Sequence, residues 1–302
     1  YEDNPEDLCA ERLASAVFRG TPLARPILGK PATLASMDGA WLRAYMQTHY
    51  RPDRIVVALA GSYHTSDVEE LKARFSGLSP SPAAAGKSGR YTHAVTVKKK
   101  AIEQNHLTLA FPGLGFGDEG RFTLQILSSI LGGGMSSRLF QQVREKLGLC
   151  YSIYSYGTCH EDTGYFGIYT ALGKETERQA LETICTVIQT FARQGPTQAE
   201  LDRARELSKA NVLMGLESTQ SRMSSLGRGE LLLGEVLETD EVIARYDAVT
   251  CEGVRRMAQQ LFDFQRASLS AVGRVGRGEE YRALLDSRQA LLSGTGSERG
   301  TA

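Results

Sequence analysis

The sequence carries no excess of charge of either sign: 35 Lys and Arg stand against 35 Asp and Glu. A nucleic-acid-binding surface needs a basic surplus, so that class of function is excluded. No apolar run approaches the ~18 residues of a membrane-spanning helix, which excludes a transmembrane segment of that kind. Cysteine is sparse and scattered. Cys9, Cys150, Cys159, Cys185 and Cys251 are odd in number and form no CxxC pair. They read as free thiols of a reducing, cytoplasmic compartment rather than as a disulfide or zinc framework. Histidine is equally dispersed: His49, His64, His93, His106 and His160 build neither HxxEH, its inverted form, nor HxxxH. A zinc ion needs two close ligands and a third, so no metal site is expected in this chain. The phosphate-cradling GxxxxGK[ST] and nucleophile-elbow GxSxG patterns are missing too. Neither an initiator Met nor a signal peptide precedes the acidic Glu2-Asp3-Asn4-Pro5-Glu6-Asp7. That start reads either as the middle of a longer polypeptide or as a processed end.

What is present is the composition of a globular protein, 41% hydrophobic and 23% charged over 302 residues, enough for two domains with buried cores. Asn4-Pro5-Glu6-Asp7 is a helix start, with Asn as cap, Pro at the first helical position and acids against the dipole. Helical spacing then runs to Gly20, and a second helix is expected near Asp38 to Tyr50, with Trp41, Leu42, Tyr45 and Met46 on its apolar side. Ile55 to Ala60 is a short apolar run read as a buried strand. A helix follows from about Ser66 to Phe75. The stretch 79–92, rich in Pro, Ser and Gly at its front, is the best linker. After it come strands at His93 to Val97 and His106 to Phe111, helices at Arg121 to Leu131 and Arg138 to Lys146, and strands at Cys150 to Tyr156 and Gly164 to Thr170. Long helices at Glu175 to Arg193 and Gln198 to Gly215 lead to a last strand at Ala267 to Val272 and a tail, 291–302, whose composition predicts disorder.

Two places contain the same local pattern of helix, short turn, apolar strand and glycine. Arg43 and Arg255, Tyr50 and Phe262, and Gly61 and Gly273 are each 212 positions apart. A constant offset marks an internal repeat, and it places the start of a first copy about 120 residues ahead of Tyr1.

Gly115-x-Gly117-x-x-Gly120 follows a strand and precedes a helix, as a dinucleotide fingerprint does. That fingerprint wants an acidic residue ~20 positions on, closing a second parallel strand. Phe140 and Gln141 stand there instead, and Pro112 interrupts the turn. Nucleotide binding is therefore set aside. The informative stretch runs from Leu131 through Gly132-Gly133-Gly134 to Ser155. A glycine turn opens a helix that delivers Arg144, Gly148 breaks it, and Tyr151 begins the next strand. On spacing alone two readings stay open. A cation and a phenol point into one cleft, or Arg144 caps a helix dipole and Tyr151 fills a sheet face.

This stretch resembles the hallmark of the second domain of M16 peptidases, the family of pitrilysin, the insulin-degrading enzyme and mitochondrial processing peptidases. Other pieces fit in order: Tyr1 to Asp7, Gly20 to Gly29, Glu103-Gln-Asn-His106 and Glu217 to Gly227. The resemblance covers about residues 1 to 275 and implies an α/β (α+β) fold of two homologous domains, each a mixed sheet backed by helices, the first incomplete. It divides the chain into 1–78, the back half of the first domain, the linker 79–92, and 93–290, the second domain. It also implies a zinc endopeptidase as parent, whose H-x-x-E-H motif and further Glu ligand fall ahead of Tyr1, so that this chain alone is inactive. It assigns Arg144 and Tyr151 to hydrogen bonding of the peptide substrate near the scissile carbonyl, and Gly132, Gly133 and Gly134 to a substrate-engaging loop whose other reading is a plain helix connection. The alternative is a non-catalytic homologue, a partner subunit or structural core protein. In either case exposed apolar surface implies a partner subunit or self-association.

Overall fold

A computed structural model describes residues 3–78 and 88–292 of the chain. Residues 79–87 of the expected linker 79–92 and 293–302 of the expected tail 291–302 lie outside the described residues. In chain order the helices of the front segment are α1 (Pro5–Val17), α2 (Pro31–Ala35), α3 (Gly39–His49) and α4 (Thr65–Phe75). Then follow β1 (Val95–Lys99), β2 (Asn105–Pro112), α5 (Arg121–Gly132), a π-helical segment at Phe140–Lys146, β3 (Ser152–Cys159) and β4 (Gly164–Leu172). The chain continues through α6 (Glu177–Gln194), α7 (Gln198–Gly215), α8 (Thr219–Leu233), α9 (Thr239–Asp247), α10 (Cys251–Leu261), β5 (Ser268–Gly273) and α11 (Gly278–Leu292). No helix among the described residues is long and apolar enough to cross a membrane.

Two compact units emerge. The first draws on the spans Tyr1–Arg25, Ser88–Ser208 and Arg245–Ala302. Its centre is a mixed five-stranded sheet in the order β1-β5-β2-β4-β3, with β1 parallel to β5 and every other pair antiparallel. The fold class is thus α/β, a mixed sheet backed by helices. β4 reads GYFGIYTAL and is buried at every position because both faces of the sheet are covered. On one face, Phe111 meets Phe262 and Phe264 edge to face, with ring centres 5.1 and 5.5 Å apart. On the other lies α1. Its Asn4 side chain accepts from the N–H groups of Glu6 and Asp7, the cap expected from the sequence. The stripe Leu8, Cys9, Leu13 and Val17 turns inward, and Leu13, Val17 and Phe18 form a cluster with Ala110 and Tyr165. Full burial of such side chains contributes roughly 1.5–3 kcal/mol each, which fixes the helix on the sheet. The Cys9 thiol donates to the carbonyls of His106 and Ser270, and burial pushes its pKa up, so it behaves as a small core residue. Grouping by contact therefore differs from division by sequence: α1, from the front segment, lies on the sheet of the back segment.

The second unit draws on Pro26–Lys87 and Lys209–Ala244. Here the repeat becomes visible in detail. α3 and α10 have bounds 212 positions apart at both ends, and their caps correspond: Asp38 accepts from Trp41 N–H as Thr250 accepts from Gly253 N–H. The glycines that end the two strand segments both have positive φ, +114° at Gly61 and +138° at Gly273. The repeat breaks down between them. β5 is hydrogen-bonded on both sides, whereas residues 55–60 run without strand pairing, and Val56 and Val57 are exposed. The buried strand expected there does not form, because no strand among the described residues of this unit offers its ladder groups a partner.

Candidate functional site

The glycine turn begins where α5 passes over β3. A Cβ on Gly132 would fall 2.3 Å from the backbone nitrogen of Ser155, and one on Gly133 would fall 2.6 Å from Cα of Ser129. Gly134 has nothing within 4 Å of that position. None of the three has positive φ, so crowding requires glycine at 132 and 133, and nothing local requires it at 134. Ser137 N–H donates to Gly134 O at 3.0 Å, and Gln141 Nε2 reaches back to Met135 O at 2.8 Å. These bonds tie the turn to the helix that follows.

That helix is π-wound from Phe140 to Lys146. Wide turns of this kind are rare and often lie at functional positions. It closes with Gly148 N–H on Arg144 O, 3.0 Å, and Leu149 N–H on Val143 O, 3.0 Å, with Gly148 left-handed at φ +60°. The chain enters the sheet immediately afterwards. Tyr151 N–H donates to Ala171 O at 2.8 Å, which fixes the backbone, while its side chain stands 70% exposed. The Arg144 guanidinium lies 4.8 Å from the Phe140 ring centre and 5.7 Å from that of Tyr151. Stacking on two rings holds a planar donor group in place. Among the described residues Arg144 makes no ion pair. The sequence-predicted pair is thus brought together, a cation and a phenol side by side at the surface with hydrogen-bond donors to spare.

A clamp that sequence reasoning missed holds the front of the same helix. Arg138 donates from Nε and Nη2 to the two oxygens of Glu200, at 2.7 and 2.8 Å, and from Nη2 to Gly195 O at 3.0 Å. Its guanidinium also lies 4.8 Å from the Phe191 ring centre. Glu200 accepts in addition from Thr197 N–H and Oγ1, at 2.7 and 2.9 Å. With Arg138 as the main cause, the carboxyl is held far below its ordinary range, at about 2. Thr197-x-x-Glu200 is a capping-box pattern visible in sequence, but nothing there names Arg138 as its partner.

The other candidates resolve into structural roles. His106 is half-buried against the Tyr169 hydroxyl at 2.7 Å, and His160 meets Phe18 edge to face. Burial depresses the basicity of both imidazoles. Among the described residues no group of three or more His, Cys, Asp or Glu could hold a metal ion. The glycines 115–120 follow β2, which is antiparallel to both of its neighbours, so the parallel βαβ frame of a dinucleotide site is not built around them.

The sequence profile of the peptidase M16 inactive domain matches residues 37–208. The chain is similar to the uncharacterized zinc protease YmxG of Bacillus subtilis (strain 168), 41% identical over 279 residues, 91% of this chain and 68% of that protein. It is similar to an uncharacterized zinc protease of Streptomyces coelicolor, 36% identical over 282 residues, 90% of this chain and 61% of that one. The chain thus spans about two thirds of the length of these relatives. In fold it resembles the peptidase M16 inactive domain from Pseudomonas fluorescens, with a TM-score of 0.81 at 24% identity, covering 91% of this chain and 66% of that one. A chain of complex III from Candida albicans matches with a TM-score of 0.85 at 16% identity, over 94% of this chain and 71% of that one.

Proposed function

Because the chain belongs to the peptidase M16 family, we propose that it is the C-terminal portion of a zinc metalloendopeptidase and that it contributes peptide-binding groups to hydrolysis. The observation that carries this reading is the pairing of a half-buried Arg144 with an exposed Tyr151, 5.7 Å from guanidinium carbon to ring centre and, among the described residues, without a carboxylate paired to the guanidinium. In this reading Arg144 donates N–H bonds to backbone carbonyls of an extended peptide. The Tyr151 hydroxyl donates to the carbonyl oxygen that gains charge during attack, a type of contact whose loss costs about 2.7–4 kcal/mol in other hydrolases. Gly134, with open space beside its Cα, lets a peptide backbone approach the turn, and Gly132 and Gly133 shape it.

The relatives' names carry zinc, but no group among the described residues of this chain could hold it. In this reading the chain alone is inactive. It works in the cytoplasm with a metal-bearing M16 segment, whether in a longer polypeptide, a partner subunit or a second copy. The test combines zinc content, quenched-fluorescence peptide cleavage and anisotropy with a labelled extended peptide. The expected result is no stoichiometric zinc, no turnover, and binding that weakens about tenfold in Arg144→Ala and in Tyr151→Phe, as loss of a charge-assisted or buried hydrogen bond would give. Chelator-sensitive cleavage by the chain alone would overturn the inactivity, and unchanged binding by both variants would remove the site.

A further inference from the structure

A small cleft, open to solvent, lies between the glycine turn and the first half of α7. Its charge is unbalanced in one direction. Glu200 lies in its wall, but both carboxylate oxygens are taken by Arg138. Arg203 also lines the cleft, is exposed, and among the described residues makes no ion pair. The cleft therefore presents a net positive charge to whatever enters. Its wall includes Ser136 and Ser137, and the Ser137 hydroxyl is buried without a hydrogen-bond partner, a condition that buried polar groups rarely keep. Beside Ser129 the wall also carries apolar groups: Ile130 and Ala204 are 5% and 4% exposed, and Leu207 stands 46% exposed at the edge.

We propose that this cleft captures the C-terminal residue of a peptide, its carboxylate on Arg203 and the serine hydroxyls and its apolar side chain on Ile130, Ala204 and Leu207. A terminal residue presents the charge and the apolar group from one carbon, as this wall requires, whereas an internal Asp or Glu presents the charge alone. Recognition of a terminal carboxylate by convergent donors is a recurring mode. The inference rests on the peptide-binding reading above for its class of ligand.

The experiment is fluorescence anisotropy on the full chain with a short peptide labelled at its N-terminus and ending in Leu. It is offered as the free acid, as the C-terminal amide, and as an amide carrying one internal Asp. The free acid is expected to bind at least about tenfold more tightly than either amide. Arg203→Gln is expected to bring it to the amide level without moving the melting temperature, since Arg203 is exposed. Equal binding of acid and amide, equal binding of the internal-Asp peptide, no binding of any peptide, or an acid preference that survives in Arg203→Gln would each overturn the proposal. Arg144→Ala and Tyr151→Phe separate the two readings, because they are expected to weaken all three peptides alike. If they change nothing while Arg203→Gln still abolishes the acid preference, the Arg144–Tyr151 site falls and the cleft stands.

Discussion

At the scale of single residues, three adjacent glycines do different work. Gly132 lets β3 pass under α5, and a methyl group there would meet Ser155 N at 2.3 Å and Ser155 Oγ at 2.7 Å. Gly132→Ala is therefore expected to destabilise the fold by about 1–3 kcal/mol, the usual cost of overpacking. Gly134→Ala meets nothing and has negative φ, so it should be neutral or slightly stabilising, within about 1 kcal/mol. Urea titrations of the two variants decide this, and equal midpoints would refute the assignment. Glu200 gives a second test. Its pKa is depressed from 4.5 to about 2, so its contribution is fully present above pH 4.5 and is lost as the pH falls toward 2. That contribution is at most about 3 kcal/mol and smaller for a side chain still partly wet. Glu200→Gln should lose stability at pH 7 and lose less than the parent on going to pH 3, as read from urea midpoints at the two values. Parallel losses would mean that the Arg138 clamp contributes nothing measurable.

At the scale of elements, much was legible because caps and periodicity are local. α7 has the bounds that spacing gave it, Gln198–Gly215, and the Asn4 cap fires as expected. The 212-residue offset reproduces helix ends, caps and even the glycine φ sign, because each of these is set by neighbours in sequence. What failed was whatever needs a distant partner. Ile55 to Ala60 has strand composition, but composition cannot supply the adjacent strands that give β5 its ladder. The π-winding of Phe140–Lys146 was likewise invisible, since the same residues read as an ordinary α-helix, and Arg138 could not be matched to Glu200 across 62 positions. Arg144 and Tyr151 were legible only as a resemblance, their spacing alone being equally that of a helix end and a sheet residue. Hydrogen exchange tests the broken half of the repeat. Amides of 56–60 should exchange rapidly while those of β5 stay protected by orders of magnitude. Comparable protection in both segments would show that 56–60 is paired after all.

At the scale of the whole molecule, the two units contrast in how they cover their apolar residues. The first buries both faces of its sheet. The second leaves Trp41, Leu42, Tyr45 and Met46 on α3 between 44% and 50% exposed, although the corresponding helix α10 buries Val254, Ala258 and Leu261. Apolar surface of this kind lowers its free energy by association. Trp41 is the only tryptophan of the chain, stacked on Tyr45 with ring centres 5.5 Å apart, so its emission reports on this face alone. At low protein concentration acrylamide should quench it freely. With rising concentration the emission should move to the blue and the sedimentation coefficient should climb together. Met46→Lys, on the same side of α3, should suppress both changes and leave the unfolding of the sheet-containing unit unaltered. Emission and sedimentation that ignore concentration would show that this face holds no partner of its own kind.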